Sequence, residues 1–470
     1  MIFINGAIMT FTITETGGVA TIDVTDGADI NSAFIALRDY VDTTATATSG
    51  VVNVTASTSF SSRIIAQDNV SLNIESGVTL DLDTQITDLT NFYAFDASNT
   101  SFSGITGEGT FDIGGHALFG VFAEGADNFV VGNVDDANTD LATGTRLNII
   151  GWEYAVVIRS TSTTAATNIT IQNLEVRDSD SADVILPVWI NSNTGANGDF
   201  VDGVTIDGLI IDGGFDSDGD GVNEGGEFSP TNRYTADQLS LHGVHNATVN
   251  NVHSINGGEV GITISRGSNN VTVTNTIAEG ADGQGFNLGS SAFSMMVDIS
   301  GGLTGFDVGD TVIGATSGAE GEITHVFSDG TIWVRDARNG RFADGEVLTV
   351  SGESTSANII EVFDTQNITL TNVEGLRNGL NAGMHVDDAG NLVPFSDFFI
   401  QQADNVIINN GNASSLGILD GMGVRADAFG VSVQNATYAL GDFTFHNFGD
   451  NQTPVVAVSY THLRAHETLR

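Results

Sequence analysis

A short phrase recurs along the chain and constrains its fold more than any other feature of the sequence. In each copy an Asn or Gly precedes an apolar-Thr-apolar segment, or a close variant of it, and another Asn or Gly usually follows. The copies begin at Asn69, Asn168, Gly203, Asn246, Asn270, Asn367, Asn405 and Gly430. The interval from Asn246 to Asn270 is nearly the same as the interval from Asn405 to Gly430, which indicates a structural repeat of that length.

The phrase predicts a strand between two turns. Strand alternation places Val271 and Val273 on one face and Thr272 on the other. Asn and Gly tolerate the left-handed conformation and therefore turn the chain at each end. Strands this short bury their apolar face only when they stack about 4.8 Å apart, with every backbone group paired to the neighbouring rungs. The predicted fold is an all-β solenoid, a right-handed single-stranded parallel β-helix.

Two segments depart from the repeat. Residues 29–41 carry apolar side chains at helical spacing, with Asp29 or Asn31 as the N-cap, and we expect this helix to cover the open edge of the first rung. The stretch from Phe306 to about Ile360 lacks the rung phrase and contains a weak repeat of its own, which predicts a small inserted β subdomain. The chain therefore divides into an N-terminal segment (1–26), β-helix (27–292), insertion (293–362), further rungs (363–458) and a tail (459–470).

Charge excludes several classes of partner. The chain has 59 acidic residues against 14 basic ones, a net charge of -45, so it repels nucleic acid and anionic membranes. It has no Cys, which excludes disulfides and thiolate metal sites. No stretch reaches the ~18 to 20 apolar residues of a membrane span, so no membrane insertion is expected. An acidic, Cys-free and Lys-free chain is compatible with a saline extracellular setting.

Both ends of the sequence bear on export. The first residues, 1–18, lack the features of a secretory signal. We expect a secreted protein that leaves the cell by type I secretion, with the C-terminal signal missing. The tail 459–470, SYTHLRAHETLR, resembles translated sequencing-adapter read-through, so the natural chain is expected to continue past about Val458.

Longer segments resemble a known superfamily. Residues 62–80 and 105–113 are similar to the opening rungs of polygalacturonase-type hydrolases of the pectin-lyase-like superfamily, and the likeness extends over about 29–289. The resemblance implies a parallel β-helix and a polysaccharide as partner. Where those hydrolases carry Asn-Thr-Asp, paired aspartates and Gly-His-Gly, this chain has Thr235-Ala-Asp237, Gly258-Glu259-Val260 and Gly283-Gln284-Gly285. Standard polygalacturonase activity is therefore not expected.

Three acids are spaced at about one rung each. Asp237, Glu259 and Asp282 follow one another at nearly equal intervals, so their carboxylates are predicted to stack on one face. Close like charges raise the pKa of one acid, which leaves one proton donor and one ionised base. Glycosidic cleavage uses such a pair. The alternative is that all three are solvated turn residues of an acidic protein.

Basic side chains follow two of these acids. His242 and His245 come after Asp237, and Arg266 comes after Glu259. A guanidinium at this place would hold the carboxylate of a uronic acid, and an Arg base would keep elimination open in a chain without Lys. The predicted catalytic set is Asp237, Glu259, Asp282, His242 and Arg266.

The segment 216–227 predicts a calcium site. Acids occupy loop positions 1, 3, 5 and 12, with Gly at position 6, as in the twelve-residue calcium loop. The predicted ligands are Asp216, Asp218, Asp220, the Val222 carbonyl, Glu224 and Glu227. Its flanks are not helical, so we expect an isolated loop on a rung in which Ca²⁺ has a structural role. An acidic turn without metal is the alternative.

Three functions remain open from the sequence. The first is an extracellular enzyme that cleaves or modifies a polysaccharide by hydrolysis or elimination. The second is a non-catalytic adhesin, or a receptor-binding or structural part of a virion, which the altered motifs and the insertion favour. The third is a matrix protein that assembles with calcium.

Overall fold

The computed structural model describes most of the chain between residues 2 and 458. Outside the described residues lie 5–6, 10, 87–92, 153, 162, 178–185, 193–199, 214–236, 258–259, 282, 290–294, 301–303, 328–329, 340, 377, 379–383, 387–391, 395, 402, 415–428, 435, 437, 442–443 and 447–454, together with residue 1 and the tail 459–470.

Strands dominate the described residues. The first strands are β1 (Ile2–Ile4), β2 (Ala7–Met9), β3 (Thr14–Thr16), β4 (Val19–Val24), β5 (Ser49–Val54), β6 (Thr58–Phe60), β7 (Ile64–Ile65), β8 (Val70–Ile74), β9 (Thr79–Leu82), β10 (Tyr93–Asp96), β11 (Gly104–Gly107), β12 (Thr110–Asp112), β13 (Phe119–Glu124), β14 (Val130–Gly132), β15 (Leu147–Ile150), β16 (Tyr154–Ser160), β17 (Thr167–Val176), β18 (Val188–Ser192) and β19 (Val201–Asp212). A 3₁₀ turn (Gly27–Asp29) and helix α1 (Ile30–Thr43) separate β4 from β5.

The remaining strands follow residue 236. They are β20 (Asp237–His242), β21 (Val244–Ile255), β22 (Val260–Ser265), β23 (Asn269–Glu279), β24 (Phe286–Gly289), β25 (Met295–Ser300), β26 (Thr311–Gly314), β27 (Glu320–Val326), β28 (Thr331–Arg338), β29 (Val347–Val350), β30 (Ser356–Phe363), β31 (Thr365–Leu376), β32 (Met384–Val386), β33 (Leu392–Pro394), β34 (Ser396–Gln401), β35 (Ala403–Ser414), β36 (Phe429–Gln434), β37 (Tyr438–Gly441), β38 (Thr444–His446) and β39 (Val455–Val458).

The chain forms two compact units. The first comprises residues 1–160, 164–189 and 202–235, and the second comprises 161–163, 190–201 and 236–470. Each unit is described separately below.

In the first unit the strands stack in three parallel rows. One row contains β7, β10, β13 and β16. A second contains β5, β8, β11, β14 and the first half of β17. The third contains β6, β9, β12, β15 and the second half of β17. Three parallel rows wound by one chain are the architecture of a right-handed parallel β-helix, which confirms the predicted fold class.

Helix α1 covers the start of this unit. Its apolar face buries Ile30, Ala33, Phe34 and Leu37 completely or almost so, and the Phe34 ring meets Phe95 of β10 edge-on with centroids 6.3 Å apart. This is the predicted capping helix. Of the two predicted N-caps, Asp29 occupies the N-cap position and Asn31 does not. Asp29 makes no side-chain cap bond, and Asn31 lies inside the helix, where its amide bonds the backbone of Arg63 and Ile65.

In the second unit one row consists of short strands. The other two rows are formed by long strands, each of which runs through both rows. The row of β20, β22, β24, β34, β36 and β39 is parallel throughout. The long strands β21, β23, β31 and β35 stack beside one another. Each long strand passes through two Asn residues in the left-handed conformation; the second of them is Asn251, Asn275, Asn372 or Asn410, with φ between 49° and 54°.

Asn side chains also connect successive rungs. The residues that begin the predicted phrase, Asn246, Asn270, Asn367 and Asn405, have φ of 54° to 58°, as expected for turns. The Asn270 amide donates to Oδ1 of Asn246 at 2.7 Å, and Asn410 donates to Asn372 at 2.6 Å. Between these corners Val271 and Val273 are buried and the Thr residues lie on the opposite face. The predicted turns and strand faces are confirmed.

The interpretation of Gly430 as the next corner after Asn405 is wrong. Strand β36, which contains Gly430, pairs with β34 and not with β35. The neighbour of β35 at this level is β37, where Val406 pairs with Tyr438. The phrase therefore identifies a strand with a turn before it, but it does not by itself say to which row the strand belongs.

The insertion forms a closed barrel. Its six strands run in the order β25-β28-β27-β26-β29-β30, around a core that includes Phe306, Ile323, Phe342 and Leu348. Buried Glu346 accepts hydrogen bonds from the amides of Thr316, Ser317 and Ala343 and from the Ser317 hydroxyl. Strands β23 and β31 on either side of the insertion are direct neighbours, with Val271 paired to Ile368. The barrel is thus inserted within a single rung.

Replacement of one corner Asn tests the contribution of the left-handed turns. Asn270→Ala keeps a Cβ atom in a left-handed residue and removes the bond to Asn246, so we expect a loss of about 1–2 kcal/mol in unfolding free energy. Asn270→Gly is the matched control, because it removes the bond but accepts the conformation. Thermal unfolding should rank wild type highest, Gly next and Ala lowest. Equal thermal midpoints for the Ala and Gly variants would show that Asn270 does not stabilise the protein by tolerating the left-handed conformation.

Candidate functional site

The outer face of the short strands in the second unit carries a row of polar side chains. Leu239, Ile262 and Phe286 are paired in register and fully buried, which identifies the inner face of β20, β22 and β24. The next residue of each strand, Ser240, Thr263 and Asn287, therefore faces outward. These three residues are also in register. They are called the outer polar row below.

Three polar atoms of this row have no hydrogen-bond partner among the described residues. Ser240 Oγ, Thr263 Oγ1 and Asn287 Oδ1 are buried without a hydrogen bond, and the same is true of Ser192 Oγ, which lies where a Cβ on Gly243 would be. A buried polar group that makes no hydrogen bond costs about 1–3 kcal/mol.

Asp237 and His242 occupy the two ends of β20. Both are nearly buried, with 6% and 5% of their surface exposed. Nε2 of His242 lies 3.9 Å from Oδ2 of Asp237. The neighbouring Gln238 donates a hydrogen bond to the carbonyl of Ile255 and accepts one from the hydroxyl of buried Ser254.

Arg266 follows the next strand and has an unusual backbone conformation. Its φ is 55°, in the left-handed region, and the corresponding residue one rung earlier is Gly243 at 63°. An Arg in this conformation costs about 1–2 kcal/mol, and such strain concentrates at functional positions. The guanidinium carbon lies 4.4 Å above the Trp333 ring, and Nε is buried without a hydrogen-bond partner.

The charges of Asp237, His242 and Arg266 influence one another. Burial lowers the pKa of His242 well below its usual value, and the Arg266 charge lowers it further. His242 is therefore neutral at pH 7. Burial lowers the pKa of Arg266 to about 10, against the attraction of Asp237, which raises it. Arg266 remains cationic at neutral pH and balances the Asp237 carboxylate.

Aromatic rings surround Arg266, and the sequence analysis did not identify them. Trp333 comes from the inserted barrel, where it packs against Phe327 with ring centroids 5.1 Å apart. Phe200 stacks on His245 at 4.0 Å, and Nε2 of His245 lies 3.2 Å from the Gly267 carbonyl. Because these rings come from distant parts of the sequence, no local motif indicated them. The one sequence feature that pointed to such a contact was the presence of a Trp within the insertion.

The structure brings together only part of the predicted catalytic set. Asp237, His242 and Arg266 form one cluster. Glu259 and Asp282 lie outside the described residues. The strand partner of Asp237 is Val260, the residue after Glu259, so the rung that begins at Asp237 is slightly longer than the interval between the two acids.

The predicted calcium loop, 216–227, also lies outside the described residues, and its calcium site stays a prediction. Among the described residues, no group of three or more His, Asp or Glu side chains is arranged to hold a metal ion. In the same part of the chain, no helix has the length and apolar character needed to cross a membrane.

Comparisons with known proteins give structural neighbours only. No family model matches the sequence, and no curated protein matches it. The polygalacturonase of Erwinia carotovora ssp. carotovora is 12% identical over 96% of this chain and 99% of its own, with a TM-score of 0.35. A catalytic domain of a GH87 α-1,3-glucanase, in complex with nigerose, is 10% identical over 97% of this chain and 70% of its own, with a TM-score of 0.40.

A third neighbour is the tailspike protein of E. coli bacteriophage HK620 in complex with a pentasaccharide. It is 12% identical over 93% of this chain, which spans 61% of the tailspike, and the TM-score is 0.47. These neighbours are pectin-lyase-like right-handed β-helix proteins, as the sequence resemblance predicted. The class of protein defined by the rows of stacked strands is a parallel β-helix protein. At these identities the likeness concerns the fold alone.

The pH dependence of stability tests the burial of His242. In the unfolded chain His titrates near pH 6.5, whereas His242 in the folded chain titrates at lower pH because it is buried beside Arg266. Above about pH 6.5 both states are neutral; below it only the unfolded state gains the proton, so folding loses up to about 1.4 kcal/mol per pH unit.

We expect the thermal midpoint of His242→Gln to fall less than that of wild type between pH 7 and pH 5. His325→Gln is the control, because His325 is an exposed His of the barrel. Parallel curves for wild type and His242→Gln would contradict the inference that His242 is neutral in the folded protein.

Proposed function

We propose that the protein binds a polysaccharide at the outer face of β20, β22 and β24 and cleaves its glycosidic linkages, with Asp237 as a catalytic carboxylate. The observation that carries this proposal is the cluster of Asp237, His242 and Arg266 on a face lined by buried, unpartnered hydroxyl and amide groups. Hydroxyl and amide groups bind sugar hydroxyls, and the Trp333 ring offers an apolar surface to a sugar ring.

Hydrolysis of a glycosidic bond requires a second acid. One carboxylic acid protonates the glycosidic oxygen as the bond from the anomeric carbon breaks, and the other carboxylate activates water or attacks that carbon. Glu259 directly precedes Val260, the strand partner of Asp237, and we propose that it supplies the second carboxylate. Asp282, one rung further along the sequence, is the other candidate.

Arg266 and His242 would support this chemistry in different ways. The Arg266 guanidinium lies opposite the Asp237 charge and would stabilise negative charge on a substrate or in the transition state. Neutral His242 would accept a hydrogen bond or a proton from the substrate. If the substrate is a uronate, the same two groups would serve elimination, in which a base removes the C5 proton and the C4–O bond breaks.

A non-catalytic binding protein, such as an adhesin or a virion receptor-binding part, is the second candidate. One specific observation favours it: the strand partner of Asp237 is Val260 and not an acid. A single carboxylate is sufficient for binding but not for two-acid hydrolysis.

Activity assays on the Asp237→Asn variant test the proposal. Wild type should release reducing ends or unsaturated uronates from at least one of alginate, pectate, sulfated algal polysaccharide, dextran or laminarin. Asp237→Asn should lower the rate by about 10²- to 10⁴-fold, as expected for loss of an acid–base group. Absorbance of unsaturated uronates would separate elimination from hydrolysis.

Asp39→Asn is the matched control, since Asp39 is an exposed carboxylate on α1 and its variant should keep full activity. If wild type releases no product from any of these polysaccharides, the binding function replaces the catalytic one. If Asp237→Asn retains the wild-type rate, Asp237 has no catalytic role.

We also propose that the loop 216–227 binds Ca²⁺ in a structural role and that the protein acts outside the cell. Support comes from the acids at loop positions 1, 3, 5 and 12 and from the net charge of -45, which attracts divalent cations. Ions that bind only the folded state raise its stability.

Calcium at millimolar concentration should therefore raise the thermal midpoint of wild type above that measured in chelator. Asp220→Asn should reduce this increase, whereas Asp81→Asn, a substitution of a rung carboxylate on β9, should not. An unchanged midpoint for wild type with and without calcium would contradict the calcium site.

A further inference from the structure

A strip of five aromatic side chains runs along the outer face of the first unit. It consists of Tyr93 of β10, Phe119 and Phe122 of β13, Tyr154 of β16, and Trp189 of β18, and is called the aromatic strip. Ring centroids lie 4.0 Å apart for Tyr93 and Phe122, 5.0 Å for Phe119 and Tyr154, and 6.1 Å for Tyr154 and Trp189. The rings therefore form one continuous surface.

The exposure of its rings shows that the strip lies at the surface. Tyr93 pairs with Phe119, and Phe119 pairs with Tyr154. Phe95 and Val121, two residues further along the same strands, are fully buried, and Phe122 is 2% exposed. By contrast, Tyr93, Phe119, Tyr154 and Trp189 all keep part of their surface exposed, so the strip can be reached by a ligand.

The geometry of the strip follows from the solenoid. Parallel strands lie about 4.8 Å apart, and each rung adds at least one ring to the row. An extended saccharide chain likewise presents one ring after another, each with an apolar face formed by its C–H groups. A row of aromatic rings repeated by the rungs matches such a chain over several sugars, whereas a compact ligand would contact only one or two rings.

Charges beside the strip are paired. Arg159 lies over the Phe122 ring, with its guanidinium carbon 4.9 Å from the centroid, and it forms an ion pair with Glu124. Arg63 pairs with Asp96 at 3.1 Å. Each cation is balanced by a carboxylate, so these two pairs add no net charge to the strip. In a protein of net charge -45, such a surface favours an uncharged ligand over a polyanion.

We infer that the aromatic strip is a binding platform for a neutral polysaccharide, separate from the cluster around Asp237. Its rings stack on the sugar faces, and the polar ends of Tyr93, Tyr154 and the flanking ion pairs bind hydroxyl groups at the edges. A second copy of this chain is a poorer occupant, because two surfaces of the same strongly negative protein repel each other. The inference does not depend on catalysis at Asp237.

Affinity electrophoresis of the full chain tests the platform. Native gels containing dextran, laminarin or galactomannan should retard the wild-type protein in at least one case, and any retardation by polygalacturonate should be unchanged in Trp189→Ala. Tyr154→Ala and Trp189→Ala should each weaken the apparent Kd by about fivefold or more, within the range expected for one lost stacking contact. Tyr154→Phe, which keeps the ring, should bind with nearly wild-type affinity.

Phe102→Ala is the matched control, because Phe102 is an exposed ring (58%) of the same unit outside the strip. Its affinity should equal that of wild type. Thermal midpoints within a few degrees of wild type would verify that the strip variants are folded. If Tyr154→Ala unfolds, Tyr154→Phe and Trp189→Ala still decide the result.

The outcomes separate this inference from the proposed function. Retardation that survives Asp237→Asn but is lost in Trp189→Ala supports the platform, even if no polysaccharide is cleaved. No retardation by any of the three neutral polysaccharides overturns it. Equal loss in Phe102→Ala also overturns it, as does a dimer in sedimentation that Tyr154→Ala dissociates, which would assign the strip to self-association.

Discussion

The left-handed Asn at each corner is the constraint on which the second unit depends. A β-helix must turn sharply at the same position in every rung, and a left-handed residue makes that turn in one step. Asn275, Asn372 and Asn410 adopt it at successive levels, and their amides bond from one rung to the next. Each corner thus fixes its neighbour, and the registered corners keep Val271, Ile368 and the other inner residues on the core side of the strands.

This dependence explains why the fold could be predicted from the sequence. Corner residues are local, since Asn or Gly occupies nearly every described position with positive φ, and the strand between two corners alternates visibly between Val and Thr. The row to which a strand belongs is not local. Gly430 begins a good copy of the phrase, yet β36 stacks on β34, because loops of different length change the number of residues in a rung without changing its strands.

The candidate site was predictable to a smaller extent. Asp237 was identified because it is spaced about one rung from Glu259, and His242 and Arg266 were identified because they follow these two acids in sequence. Two features were not accessible in this way. Arg266 occupies, in the left-handed conformation, a corner at which the preceding rung has Gly243. Because Arg is not a typical turn residue, the sequence did not indicate a turn there. Trp333 contacts Arg266 because the barrel lies beside the rung into which it is inserted. The repeat spacing of the rungs does not predict this contact.

The position of the barrel also bears on the order of folding. Strands β23 and β31 pair although their partner residues lie far apart in sequence, as with Val271 and Ile368, and closing a long loop delays such a contact. The first and last strands of the barrel pair with each other, Met296 with Phe363. Once the barrel has formed, it joins its own ends, and the loop that remains between the two rungs is short. A self-closing insertion therefore lets the solenoid continue to grow rung by rung during synthesis.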